Sequence, residues 1–166
     1  MRHKKVVPPE SIICLDIEAS GLGSRSYPIE IAWKRFDETS FDCFLINPET
    51  GYNWNDWDES AAQVHGIAYQ DLLNQGIDVR VACARLNSQL AGCTVYSDAF
   101  EFDYFWMRRL FDAAMVKPKF QLDGIESLLS IEQLDKYQRA SKESSREHRA
   151  MSDVDDLLLG LKSCLL

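Results

Sequence analysis

Two carboxylates separated by one residue, Asp16 and Glu18, close the apolar run Ile12-Ile13-Cys14-Leu15. Neighbouring apolar side chains of this kind suit a strand buried on both faces, and a strand sends residues i and i+2 to the same side. The two acids therefore point together. Burying them side by side drives at least one toward its neutral form unless a cation compensates. Oxygen donors with no His or Cys beside them suit Mg²⁺ or Mn²⁺ rather than Zn²⁺. The competing reading is a solvated strand end running into the turn at Gly21 to Gly23, and this stretch alone leaves both open.

Other polar groups fall where they could join the pair. Asp103 opens a helical stripe with Trp106, Met107, Leu110 and Ala114, and Asp153 stands near the start of the last helix, in projection beside Leu157. Asp155 is turned about 200° from Asp153 and reads as solvated, whereas Asp156 is a second candidate for the same face. His148 precedes Asp153 by five residues, so both reach one site only if His148 sits on the preceding loop or in the helix's first turn. Such a histidine is either a general base closing over substrate or a surface residue between Glu147 and Arg149. Glu30, among apolar neighbours, reads as a hydrogen-bonded structural acid ahead of a further ligand. His65 is a substrate contact or a turn residue. Tyr52, Trp54 and Trp57 either stack nucleobases or anchor their loop.

The elements that must position these groups follow from periodicity. Strands are expected at about 11–18, 28–36 and 41–46 as an antiparallel meander, then a loop-rich stretch to 77 with a short helix at 69–74. A helix over 78–91 stops at Gly92, followed by a strand at 94–97 and a helix over 101–115. A short strand near 119–122, a helix at 123–130, a mobile polar stretch over 136–149 and a final helix over 151–164 complete the chain. The alternation is that of an α/β fold with a mixed sheet, its ligand crevice at the strand ends.

The 166 residues fit one domain, read as a basic tail over 1–10 and a single folded unit over 11–166. With 26 Asp and Glu against 18 Lys and Arg, the net charge of −8 argues against broad electrostatic capture of nucleic acid. Any grip on such a polymer is local. The five cysteines show no C-x-x-C spacing and indicate neither zinc nor a disulfide framework, which suits a reducing cytoplasm. No segment is long enough to span a membrane.

Three motifs in order carry a resemblance: Asp16-Ile17-Glu18 after an apolar strand, Phe102-Asp103 opening a helix, and His148-Arg149-Ala150-Met151-Ser152-Asp153. Together they resemble the DEDDh exonucleases, the DnaQ-like group with a ribonuclease-H-like fold, over residues 11–165. Val64-His65-Gly66-Ile67 is similar to a His-Gly-Ile segment that many members carry. The resemblance implies a ribonuclease-H-like mixed five-stranded sheet flanked by helices and a metal-dependent 3′-to-5′ exonuclease. Single-stranded 3′ ends of DNA or RNA would be its substrates and nucleoside 5′-monophosphates its products. Asp16, Glu18, Asp103 and Asp153 would hold two Mg²⁺ or Mn²⁺ ions, whose charge offsets the four acids and stabilises the attacking and leaving oxygens. His148 would activate water. By similarity, Ala19, Ser20, Gly21 and Leu22 would border the pocket for the terminal nucleotide, with His65 lining it. One departure is Asp98, near a place where family members commonly carry Asn. The alternative on the same fold is a nucleic-acid end-binding or scaffold module without turnover. Related families include homodimers, so a homodimer is among the assemblies the resemblance allows.

Overall fold

A computed structural model of the chain describes residues 6–143 and 148–166; the start of the expected basic tail, residues 1–5, and residues 144–147 of the polar stretch lie outside the described residues. Five strands, β1 (Ile13–Ala19), β2 (Pro28–Arg35), β3 (Phe41–Leu45), β4 (Thr94–Ser97) and β5 (Gln121–Gly124), form one sheet in the order β3-β2-β1-β4-β5. The first three strands pair antiparallel as a meander, and β4 and β5 add in parallel. The central position of β1 explains its run of apolar residues, since it is covered on both faces.

Alternation along β1 sorts its side chains between two cores. Ile13, Leu15, Ile17 and Ala19 face one layer, with α3 (Val79–Leu90) and α4 (Phe100–Ala114). Cys14, with Ile12 just before the strand, faces the other, with α6 (Ala150–Leu165) and Tyr137 of α5 (Ile131–Glu143). Asp16 and Glu18 continue the Cys14 side, so β1 directs both acids toward the layer that contains α6.

Two helices depart from the sequence reading. Helix α1 (Glu59–His65) occupies part of the stretch read as loop, capped by the Asp58 carboxylate, which accepts from Ser60 N at 2.9 Å, and ended by Gly66 at φ 69°. Only its last residue, His65, is buried, so it has no apolar stripe to betray it. Helix α2 (Tyr69–Gln75) follows, close to the expected short helix. The helix expected at 123–130 is a single 3-10 turn, Ile125–Ser127, and ordered helix begins at Ile131 instead. Residues 136–143, read as mobile, belong to α5. Its polar composition conceals a narrow contact face in which Leu134 and Tyr137 pack on α6. Among the described residues no helix is long and apolar enough to cross a membrane.

Gly160 of α6 meets that face closely: a Cβ there would lie 2.6 Å from Cε2 of Tyr137. An alanine in a helix interior normally adds up to about 1 kcal/mol relative to glycine. Here the overlap with a buried ring should reverse the sign, and Gly160→Ala is expected to cost about 1–3 kcal/mol. A urea titration checks this; a raised midpoint would mean that α5 does not press on α6 at this point.

Candidate functional site

Asp16 and Glu18 enter from the end of β1, and Asp153 enters from the first turn of α6. One carboxylate oxygen from each lies within 4.8 Å of the others. Asp103 arrives from the first turn of α4 and is 1% exposed; its Oδ2 accepts a 2.5 Å hydrogen bond from Ser97 Oγ at the end of β4. The Ser97 hydroxyl oxygen in turn accepts from Ala99 N at 3.0 Å, which fixes it at the α4 entrance. Ser97 lies outside the three motifs, and its signal in the sequence is that a serine closing a strand just before a helix is a recurrent backbone capper. Asp98 is half-buried, and one of its oxygens accepts from the Tyr137 hydroxyl at 3.0 Å. Asp155 is half exposed and pairs with Lys34 at 2.5 Å, outside the cluster.

The electrostatics follow from burial and like charge. Burial pushes the Asp16 carboxyl well above the usual range, and Asp103, Glu18 and Asp153 push it further. Glu18 is raised to about 9, by burial first and then by sharing a hydrogen bond with Asp153. Asp103 is raised by burial, against the opposing Ser97 hydrogen bond. Buried Asp16 Oδ2 has no hydrogen-bond partner. A hard divalent cation fits this donor set: three clustered oxygen ligands, an excess of negative charge and a buried acceptor left without a donor.

The approach of α6 is set by Glu30. This residue is 2% exposed on β2 and accepts from Arg149 Nε at 3.0 Å and Nη2 at 2.7 Å. Its Oε1 also accepts from Ala150 N at 2.7 Å, so an anionic side chain sits on the N-terminus of α6, where the helix dipole favours it. Glu30 is the structural acid that its setting suggested. The sequence carries no local sign that Arg149 is its partner, although an acid buried in an apolar strand calls for a cation. His148, the residue before this anchor, is exposed and takes the left-handed conformation at φ 54°. Such a backbone is uncommon for a residue with a Cβ; the bidentate Arg149 contact immediately after it constrains the chain there.

The turn after β1 divides its residues. Ala19, Ser20 and Gly21 are buried, and the Ser20 hydroxyl accepts from Tyr27 N at 3.0 Å. Leu22 is 74% exposed and lines a groove of about 250 Å³ with Phe102 and Phe105. His65 is buried; its Nδ1 accepts from Ile67 N at 3.0 Å, its Nε2 has no partner, and burial lowers its pKa. Its role as a turn residue is thus visible in the His-Gly-Ile segment. Trp54 is a loop anchor, stacked on Tyr27 at 5.2 Å, while Trp57 meets His65 and Tyr69 edge-on.

No protein-family model and no curated protein matches the chain. Solved structures do. Escherichia coli exonuclease I in complex with a dA16 oligonucleotide superposes with a TM-score of 0.73 at 17% identity, over 93% of this chain and 41% of that one. Its complex with a dT13 oligonucleotide gives 0.71 at 17% identity, over 92% and 40%. Exonuclease I from Methylocaldum szegediense gives 0.60 at 16% identity, over 80% and 30%. The fold is that of exonuclease I. The ribonuclease-H-like mixed five-stranded sheet flanked by helices is therefore the fold observed, and this chain spans about two fifths of the length of E. coli exonuclease I.

The raised carboxyl groups give the site a pH signature. Their neutral forms are favoured in the folded state, so their contribution to stability is complete below the ordinary carboxylate value of about 4. It is lost as pH rises through the elevated values, about 9 for Glu18. In chelator-treated protein, Asp16→Asn should raise the melting temperature near pH 8–9 and have little effect near pH 4. Mn²⁺ should reverse the ranking at alkaline pH by favouring the ionised cluster. Melting curves across that range check this; a pH-independent effect of Asp16→Asn would contradict it.

Proposed function

We propose that this chain is a metal-dependent 3′-to-5′ exonuclease of the DEDDh type, with residues 11–166 acting as one catalytic domain. It would release nucleoside 5′-monophosphates from single-stranded 3′ ends. The observation that carries this reading is the meeting of Asp16, Glu18 and Asp153 within 4.8 Å at the strand ends of an exonuclease I fold.

Asp16, Glu18 and Asp153, with Asp103 behind them, would hold two Mg²⁺ or Mn²⁺ ions. When bound, these supply positive charge to the attacked phosphate and to the oxygens entering and leaving it. His148 accepts the proton of the attacking water, and its exposed place before α6 lets it meet substrate rather than the core. Glu30 and Arg149 are positioning residues that hold this segment and the first turn of α6 in one arrangement. Leu22 offers an apolar surface to the terminal base, while Ala19, Ser20 and Gly21 present backbone to it. His65 supports that wall through Trp57 and the Ile67 turn. DNA, the polymer bound in the E. coli exonuclease I complexes, is the first substrate to examine, and RNA the second. Five free cysteines accord with work in a reducing cytoplasm.

The test is a time course on end-labelled DNA and RNA strands of matched sequence, with Mg²⁺ and with Mn²⁺. Mononucleotides should accumulate from the 3′ end, Asp16→Ala should abolish them, and His148→Ala should slow release about 10²–10⁴-fold while Mn²⁺ binding is kept. Binding of oligonucleotide without mononucleotide release under either metal would replace the enzyme reading with that of an end-binding module. A His148→Ala variant as fast as the parent would remove His148 from the reaction.

A further inference from the structure

A second cavity adjoins the same turn that carries Leu22. It has a volume of about 550 Å³, and its lining includes Arg25, Tyr52, Trp54 and Arg109. In a chain of net charge −8, neither Arg25 nor Arg109 has a salt-bridge partner among the described residues. Tyr52 is 81% exposed, yet its loop is firmly built. Trp54 stacks on Tyr27, and Gly51 lies so close that a Cβ would fall 2.1 Å from the Trp54 ring. The loop therefore presents an exposed aromatic face from a rigid base.

The turn bearing Arg25 is held equally well. Trp106 Nε1 of α4 donates to the Ser26 hydroxyl at 2.8 Å, and that hydroxyl donates to Gly23 O at 2.6 Å. One flank of this turn, Leu22 to Ser24, borders the groove shared with Phe102, the neighbour of Asp103; its next residue, Arg25, lines the larger cavity. Arg109 stands six residues beyond Asp103 on α4, about 9 Å along the axis. At about 3.4 Å per nucleotide of one strand, that is the reach of two or three nucleotides. Guanidinium groups suit phosphate oxygens, and a tyrosine face suits a base irrespective of sequence. Asp56 and Asp112 also line the cavity, so it offers no broad positive field and suits one or two phosphates of a single strand rather than a duplex.

We propose that the Arg25, Arg109 and Tyr52 cavity is a second nucleotide subsite, binding the backbone and base two or three positions 5′ of the nucleotide being removed. Building on the nuclease reading, this makes strands of about four nucleotides or longer the preferred substrates over dinucleotides.

The test compares a 5′-fluorescein-labelled dT12 with a dinucleotide, by anisotropy in chelator and by hydrolysis in Mn²⁺. The double variant Arg25→Gln, Arg109→Gln should raise Kd and KM for dT12 about tenfold and lessen the slope of log affinity against log salt by about 1.4, for two phosphates released. The dinucleotide KM should change by about twofold at most, so the ratio between the substrates shifts. Tyr52→Ser should weaken dT12 binding about fivefold or more, and Tyr52→Phe should restore it. Equal losses on both substrates, or an unchanged salt slope, would overturn the subsite. A parent protein that binds dT12 but releases no mononucleotide would defeat the nuclease reading alone, with the salt slope and the Tyr52 pair still deciding the subsite.

Discussion

Like charge in a confined, buried place is the constraint around which this molecule is arranged. Asp16, Glu18 and Asp153 bring three carboxylates within 4.8 Å, with Asp103 buried beside them. Without a cation, burial and mutual repulsion hold protons on groups that ordinarily lose them near pH 4. A cluster of this kind persists only because the covered sheet and its helices over-determine it. β1 is central and buried on both faces, its alternation sends Asp16 and Glu18 to one side, and α4 and α6 bring their acids in from their first turns.

The approach of α6 depends on one buried contact. Glu30 takes both the Arg149 guanidinium and the Ala150 backbone N–H, which fastens the start of the helix to β2. An ion pair with one buried partner is weak evidence for stability, but it specifies an arrangement well, because the buried Glu30 carboxylate left without the half-exposed Arg149 is costly. Here it sets two things at once: the depth at which Asp153 enters the cluster, and the conformation of the chain at His148. Charge inside the fold is thus used to place charge at the site.

Much of this was legible in the residues. The apolar run before Asp16 has its length and composition because β1 is central, and the 3.6-residue periodicity after Asp78 and after Arg149 marks α3 and α6 because each buries a broad stripe. Helix α1 was hidden because it buries little beyond His65, so its signal is two caps rather than a period. Helix α5 was hidden because its composition is that of a solvated chain, while Tyr137 packs in a space made available by Gly160, far away in sequence. Contacts such as Glu30 with Arg149, 119 residues apart, or Trp106 with Ser26, 80 apart, depend on tertiary closure and leave no local mark. Asp103 and Asp153 are visible as helix-start acids, but that Glu30 of β2 fastens the helix carrying Asp153, through Arg149 and Ala150 N, becomes evident only once the sheet and α6 are packed together.

The nuclease reading places a divalent cation where the three carboxylates meet. Diffraction from crystals soaked in Mn²⁺, collected at the manganese absorption edge, locates that ion independently of any activity. An anomalous peak bonded to Asp16 and shared with Glu18 or Asp153, absent from crystals of Asp16→Ala, is the expected result. Manganese bound elsewhere, or none at these carboxylates under conditions that support strand cleavage, would contradict it.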